Sequence, residues 1–232
     1  MTARGRPKKR GGGLSGGRFH HLLASLRGHH GPQHWWPAET PFEVMVGAVL
    51  TQNTAWTNVE RAIANLRARR LLDAEAILAV PAEELADAIR PSGYFNIKAQ
   101  RLRNLCAAYV EEGGHSGLAR LDTAALRDRL LAVNGVGPET ADDIVLYAFS
   151  RPVFVIDAYT RRILSRLGWI GGDEPYDELQ GMVESVLTDD VGALNELHAL
   201  FVAHGKEICR PRPRCEGCPL HTDCPQLGAE PY

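Results

Sequence analysis

The sequence predicts an all-α protein, and 232 residues with 44% hydrophobic content allow one domain or two. Three observations carry the prediction. Apolar residues recur at helical spacing over nearly the whole chain from residue 18 onward. Strand-like alternation is nowhere long enough to build a sheet, and only Val153–Ile156 is strand-prone. The connections between periodic stretches are short and rich in Gly and Pro, as they are between packed helices.

The elements follow in order. Residues 1–17 are rich in Arg, Lys and Gly with almost no large apolar side chain, so they are expected to be a disordered basic tail. Phe19, Leu22, Leu23 and Leu26 predict the first helix, and Phe42, Val46, Val49 and Leu50 a second one opening at Pro41. Further helices are expected over 57–69, 73–79, 82–89, 96–111, 123–132, 139–149, 158–167, 176–188 and 192–204. The chain shows no internal repeat.

Composition excludes some classes of function. No run of about 18 apolar residues is present, so no membrane span is expected. The basic N-terminus has no apolar stretch after it and does not read as a secretory signal. Five cysteines, four of them in the last 24 residues, do not form a secreted disulfide framework. They imply a reducing, cytoplasmic or otherwise intracellular setting and a metal site. Cys106, in an apolar helical stretch, reads as a small core residue. Arg4, Arg6, Lys8, Lys9 and Arg10 come with no acid, so the rest of the chain is acidic. Nucleic acid would therefore be met by a local basic face and by backbone amides. Arg4-Gly5-Arg6-Pro7 looks like an AT-hook core for the minor groove; the plainer reading is a solvated basic tail.

Two segments carry most of the chemistry. Gly135-Val136-Gly137 interrupts two amphipathic stretches: the glycines permit a tight turn, Val136 serves as an apolar peg, and the amides there and at the next helix start form a phosphate-sized anion site. Downstream, Asp157 follows the apolar strip Val155-Ile156 and opens a new helix at Ala158-Tyr159-Thr160, so alone it would be a helix cap. Near the C-terminus Cys209-x5-Cys215-x2-Cys218-x5-Cys224 offers four thiolates, which fit a [4Fe–4S] cluster or, as the second choice, an all-cysteine zinc site. The first gap, Arg210-Pro211-Arg212-Pro213-Arg214, is a stiff loop whose Arg210, Arg212 and Arg214 suit phosphate contacts.

Together, hairpin, aspartate and cysteine loop resemble the endonuclease III branch of the helix-hairpin-helix, Gly/Pro-rich loop, Asp superfamily of DNA glycosylases, over about residues 40–226. The resemblance implies a six-helix barrel over 41–150 with the hairpin at about 123–149. It implies a second helical domain, built from 18–40 and 151–232, with an iron–sulfur cluster loop. It implies monomeric binding of double-stranded DNA holding a damaged base, with Gly135, Val136, Gly137 and Thr140 on the backbone and Asp157 as the catalytic carboxylate. A carboxylate near C1′ favours the cationic sugar formed as the base leaves, or deprotonates the attacking water. Bifunctional relatives carry a lysine in Gly-x-Gly-x-Lys-Thr-Ala. Here that position is Glu139, which cannot form an imine, so a monofunctional enzyme that uses water is expected. The family usually has six residues in the first cysteine gap, and here there are five.

Trp35-Trp36-Pro37, Leu50-Thr51-Gln52-Asn53-Thr54, Gly93-Tyr94-Phe95-Asn96 and His204-Gly205-Lys206 look like the 3-methyladenine glycosylases of that branch. This likeness implies a base pocket of Trp35, Trp36, Pro37 and Trp56, with Lys206 facing it or capping its own helix, and a duplex wedge at Gln52 or Asn53. Indoles hold a flipped cationic base through cation–π attraction. Alkylated purines of the 3-methyladenine type are thus the expected substrates. Oxidised pyrimidines or mismatched uracil or thymine are the alternative within enzymes, and a non-catalytic DNA-binding protein or a zinc-binding interaction module the alternatives outside them. Asp142 and Asp143 are expected to be a solvated or interdomain pair without a catalytic role.

Overall fold

The computed structural model describes residues 16–187 and 190–228. Twelve α-helices and no strand occur among them: α1 (Gly16–His30), α2 (Pro41–Leu50), α3 (Trp56–Ala68), α4 (Ala74–Ala79), α5 (Ala82–Ala88), α6 (Phe95–Glu111), α7 (Gly114–Leu118), α8 (Thr123–Leu131), α9 (Pro138–Asp143), α10 (Ala158–Arg166), α11 (Tyr176–Glu184) and α12 (Val191–Glu207). A 3₁₀ turn at Arg90–Ser92 precedes α6, and a π-helical stretch, Ile144–Ala148, continues α9. None is long and apolar enough to cross a membrane.

The helices bury two hydrophobic clusters. The first gathers α2–α6, α8, α9 and their connections. Its centre is α2, whose side chains from Phe42 to Leu50 are all buried, as expected of a helix apolar on every side. Thr40 caps it, accepting from the Glu43 amide at 3.1 Å, and Pro41 fits the first turn. The second cluster unites Phe19, Leu22 and Leu26 of α1 with Ile163 and Leu164 of α10, Leu179 and Val183 of α11, and Leu194, Leu197, Leu200 and Phe201 of α12. The N-terminal helix thus joins the C-terminal ones.

The expected disordered tail ends earlier than its composition implied: Gly16 and Gly17 form the first turn of α1. The AT-hook-like segment lies outside the described residues. The single helix expected over 139–149 changes to π geometry at Ile144, and α7 was not expected.

Val153–Ile156 is extended and buried but has no strand partner. Side chains satisfy its backbone instead. The Phe154 amide donates to Glu184 at 2.8 Å, the Ile156 amide to the Tyr176 hydroxyl at 3.2 Å, and the Phe154 carbonyl accepts from Gln180 at 2.8 Å. This segment leads the chain from the first cluster to the second and delivers Asp157.

Candidate active site

The turn between α8 and α9 is a tight, braced hairpin. Gly135 has φ +97°, and a Cβ there would lie 2.3 Å from Arg101 Cγ, so glycine is required on two counts. Val136 is buried as the peg, its amide donating to the Val133 carbonyl at 3.0 Å. A Cβ on Gly137 would meet nothing, so the far side of the turn is open. The Gln52 amide nitrogen donates to the Gly135 carbonyl at 3.1 Å and to Thr140 Oγ1 at 2.9 Å, while its oxygen accepts from Arg101. The structure therefore separates the two wedge candidates. Gln52 is spent on bracing the hairpin; Asn53 is exposed, with a left-handed φ of +53°.

Beside Asn53, Lys98 is buried and donates to the Leu50 carbonyl at 2.8 Å and the Ser92 carbonyl at 2.7 Å. Burial pulls its pKa down to about 8. The lysine ties the end of α2 to the turn that presents Tyr94, which is 67% exposed.

Asp157 caps α10. Its Oδ1 accepts from the Thr160 amide at 2.6 Å, and its Oδ2 lies 3.7 Å from His198 Nε2 on α12. Burial raises the carboxyl's pKa, but His198 and the Thr160 amide outweigh it and the net shift is downward. The other ring nitrogen of His198 shares a 2.6 Å hydrogen bond with the Tyr147 hydroxyl. Burial opposes charge on His198, yet Asp157, Asp143 and Glu139 raise its pKa overall. Glu139, Asp143 and Tyr147 follow one another at intervals of four residues along α9 and its π-helical continuation. All three couple electrostatically to Asp157. Glu139 is pushed up by burial and by Asp157. Asp143, buried with Oδ1 lacking a hydrogen-bond partner, is raised to about 8, chiefly by burial.

The indoles of Trp35, Trp36 and Trp56 contact one another with ring centroids 4.7–5.3 Å apart. Gly47 makes this possible from within α2, since a Cβ there would sit 3.1 Å from Trp36 Cζ2. Trp36 also meets Tyr147 at 5.3 Å, so a continuous path of side chains runs from the indoles through Tyr147 and His198 to Asp157. A groove of about 390 Å³ is lined by Trp36, Pro37 and Trp56 together with Glu39, Glu43, Glu60 and Arg67, which pairs with Glu39 at 3.3 Å and Glu43 at 3.0 Å. Trp35, Lys206 and Asp157 do not line it. Lys206, in the last turn of α12, has its pKa lowered by partial desolvation of its ammonium, against the opposing pull of Asp157 and of Glu60 of α3.

The four C-terminal cysteines face one small cavity, walled by Ile163, Leu167, Leu220 and His204. Burial, with the neighbouring thiols, raises the pKa of Cys218 and Cys224. Arg166 holds the loop: its guanidinium donates to Cys209 Sγ at 3.3 Å and to the carbonyls of Arg210 and Pro211 at 2.6 and 2.8 Å. No group of three or more ligating side chains among the described residues converges on a single ion. Four thiols around one apolar void, beside a guanidinium that favours thiolates, fit a multi-iron cluster. Arg210, Arg212 and Arg214 are exposed and share one groove on the outer side of the loop.

One reading needs correction. Asp142 and Asp143 are buried rather than solvated and do not act as a pair, and only Asp142 bridges helices of the two clusters. Asp142 is fully buried between Arg127 at 2.7 Å and Gln180 at 2.7 Å, whereas Asp143 turns to the His198 side. The sequence also gave no notice of His198 and Tyr147. The one available signal was a histidine on the buried face of α12, in line with Leu194, Leu197 and Phe201.

A braced hairpin followed by an aspartate at the head of the next helix defines a class of DNA-repair enzyme. Over residues 46–188 the chain matches the family described as HhH-GPD superfamily base excision DNA repair protein, and it belongs to that family. It is a DNA N-glycosylase of the endonuclease III branch. It is 48% identical over 202 residues to the Methanocaldococcus jannaschii protein named "Putative DNA repair glycosylase MJ1434", covering 86% of this chain and 92% of that one. It is 32% identical over 186 residues to Endonuclease III of Thermotoga maritima, covering 79% and 82%. Among solved structures it resembles the Helicobacter pylori 3-methyladenine DNA glycosylase bound to 1,N6-ethenoadenine, with a TM-score of 0.72, 30% identity and coverage of 84% and 98%.

Proposed function

We propose that this glycosylase is monofunctional and releases alkylated purines of the 3-methyladenine type from duplex DNA, using water and leaving an abasic site. The observation that carries this reading is the joining of the Trp35–Trp36–Trp56 cluster to Asp157 through Tyr147 and His198. Electron-rich indoles, in a groove whose three carboxylates outnumber its one guanidinium, favour a cationic base, and an alkylated purine is such a base and already a good leaving group.

In this reading the amides at Gly135–Gly137 and the Thr140 region grip the phosphate backbone, and Arg210, Arg212 and Arg214 extend that contact. Asn53 fills the space of the extruded nucleotide, and Tyr94 stacks beside it on the braced neighbouring loop. Asp157 stays ionised under His198 and stabilises positive charge at C1′. Cys209, Cys215, Cys218 and Cys224 hold a [4Fe–4S] cluster that ties the loop carrying the arginines; zinc is the alternative. That cluster implies a reducing compartment, and all five cysteines are unpaired.

The test is base release from duplexes carrying one lesion each: 7-methylguanine, 1,N6-ethenoadenine, hypoxanthine, uracil or thymine glycol. Release of alkylated purines with no borohydride-trapped complex is the expected result. Release of pyrimidine lesions alone would overturn the substrate assignment. Trapping in the wild type that disappears in Lys206→Ala would make Lys206, whose charge Asp157 attracts, a lyase nucleophile.

A further inference from the structure

We propose that Gln180 of α11 is a positioning residue for base release: together with Tyr176 it sets where Asp157 stands relative to the hairpin. The inference rests on the reading of Asp157 as the carboxylate that acts at C1′, and it adds the side chains that place that carboxylate.

Val153–Ile156 is extended and buried, and no strand among the described residues lies beside it to fix its register or its twist. One helix does so instead. Tyr176, Gln180 and Glu184 follow one another at intervals of four residues, on successive turns of the same side of α11. Each takes one backbone group of the segment. The Tyr176 hydroxyl accepts from the Ile156 amide at 3.2 Å, Gln180 Nε2 donates to the Phe154 carbonyl at 2.8 Å, and Glu184 Oε1 accepts from the Phe154 amide at 2.8 Å. Ile156 is the residue that precedes Asp157.

Gln180 has a second attachment. The other hydrogen of its amide nitrogen goes to Asp142 Oδ2 at 2.7 Å, so a single buried nitrogen spans two elements. Asp142 stands on α9, after the turn, and accepts from Arg127 of α8, before the turn, at 2.7 and 3.2 Å. Both helices of the hairpin are thereby tied to each other and to the segment that ends in Asp157. Both partners of Gln180 are acceptors. Leucine lacks the donors they need, and glutamate would bring a second carboxylate against Asp142. A side chain needed only to satisfy the Phe154 carbonyl need not reach Asp142 as well.

Placement matters at the end of the segment. Asp157 Oδ2 lies 3.7 Å from His198 Nε2, and Oδ1 2.6 Å from the Thr160 amide. The titratable groups coupled to Asp157 are His198 and Lys206 of α12, Glu139, Asp143 and Tyr147 of α9 and its continuation, and Tyr159 of its own helix. Burial raises the carboxyl's pKa, and His198 and Thr160 outweigh burial. A segment freed from α11 lets the carboxylate leave His198, which raises its pKa and spoils its aim at C1′ together.

The experiment uses the full chain and compares wild type, Gln180→Leu, the double variant Asp142→Asn/Gln180→Leu, Tyr176→Phe and Asp157→Asn. Single-turnover release of the lesion the wild type removes fastest is followed between pH 5 and 9. Rates are taken per molecule that binds an abasic-analogue duplex, so unfolded protein does not enter. Affinity for that duplex and thermal melting are measured alongside. Asp142→Asn keeps an acceptor for Arg127 and removes the carboxylate that Gln180→Leu leaves short of a donor, so the double variant serves where the single one fails to fold. Gln180→Leu, alone or in the double variant, and Tyr176→Phe should each slow release at least about tenfold. The acid limb should move to higher pH in each, while affinity holds. An unchanged rate and acid limb overturn the proposal however far melting falls, because the network then serves stability alone. A slower rate with an unmoved acid limb also overturns it, since Asp157 has then kept its place beside His198, as does a loss that merely follows affinity. Full activity of Asp157→Asn instead removes the reading beneath it.

Discussion

His198 lies beside Asp157, Nε2 3.7 Å from Oδ2, and its opposite nitrogen is pinned 2.6 Å from the Tyr147 hydroxyl. A buried imidazole so placed holds the carboxylate ionised. Because Asp157 is shifted below 3.8, its contribution to stability is present above that pH and is lost as pH falls through the lower folded value. His198, shifted above 6.5, contributes below 6.5 and loses that contribution as pH rises through its higher folded value.

Replacing His198 by Gln should therefore let the Asp157 pKa rise. The acid limb of the rate profile moves to higher pH, and release at pH 6 falls about tenfold while DNA affinity holds. Tyr147→Phe should give a smaller shift of the same sign. Single-turnover profiles measure both, and an unmoved acid limb in His198→Gln would assign the histidine to packing alone.

Asp157→Asn should abolish base release and leave DNA binding largely intact, since its charge is needed at C1′. The amide retains a capping oxygen for Thr160, so stability should drop by no more than about 1 kcal/mol. Retention of more than about a tenth of the wild-type rate would exclude it from catalysis.

Asp143→Asn should stabilise the protein in a pH-dependent way. The folded carboxyl keeps its proton up to about pH 8, whereas the unfolded one releases it near 3.8. Stability is thus lost progressively as pH rises between those values, and asparagine is free of that loss. Melting temperatures of the two proteins should nearly coincide at pH 4 and diverge in favour of Asn by about 2–4 °C or more at pH 8. A constant difference across that range would refute the buried neutral carboxyl.

Trp56→Ala removes one wall of the indole cluster, which it forms with Trp35 at 4.7 Å and Trp36 at 5.3 Å. Release of a cationic lesion such as 7-methylguanine should fall about tenfold, from loss of ~1–2 kcal/mol of cation–π and stacking energy. Release of neutral hypoxanthine should fall less. Equal losses would mean that Trp56 only packs.

Gly135→Ala tests the hairpin. Its Cβ would meet Arg101 Cγ at 2.3 Å with φ at +97°, so the turn must open and the Gln52 bridge to the Gly135 carbonyl must lengthen. DNA affinity should fall at least tenfold at moderate salt, read by anisotropy. Unchanged affinity would detach the turn from the phosphate backbone.

Much of the helical frame was legible because its signals are local. The apolar run of α2 and the glycines of the hairpin act within a turn or two of themselves. The pocket's wiring was not, because packing makes it. Tyr147 and His198 are 51 residues apart and meet only when α12 docks against the continuation of α9. Adjacency in sequence also misled. Asp142 and Asp143 are neighbours in the chain, but successive positions on a helix point about 100° apart, so one meets Arg127 and Gln180 and the other turns to the His198 side. The indole cluster depended on a vacancy, the missing side chain of Gly47, that no hydrophobic pattern reveals.

Helix α12 carries His198 on one turn and His204 less than two turns later, and His204 Nε2 approaches Cys218 Sγ at 3.7 Å. One rigid rod of about 9 Å therefore has its ends in two different chemistries. The placing of one imidazole against the cysteine cavity and of the other beside Asp157 is therefore a single act of packing: the docking of α12 sets both.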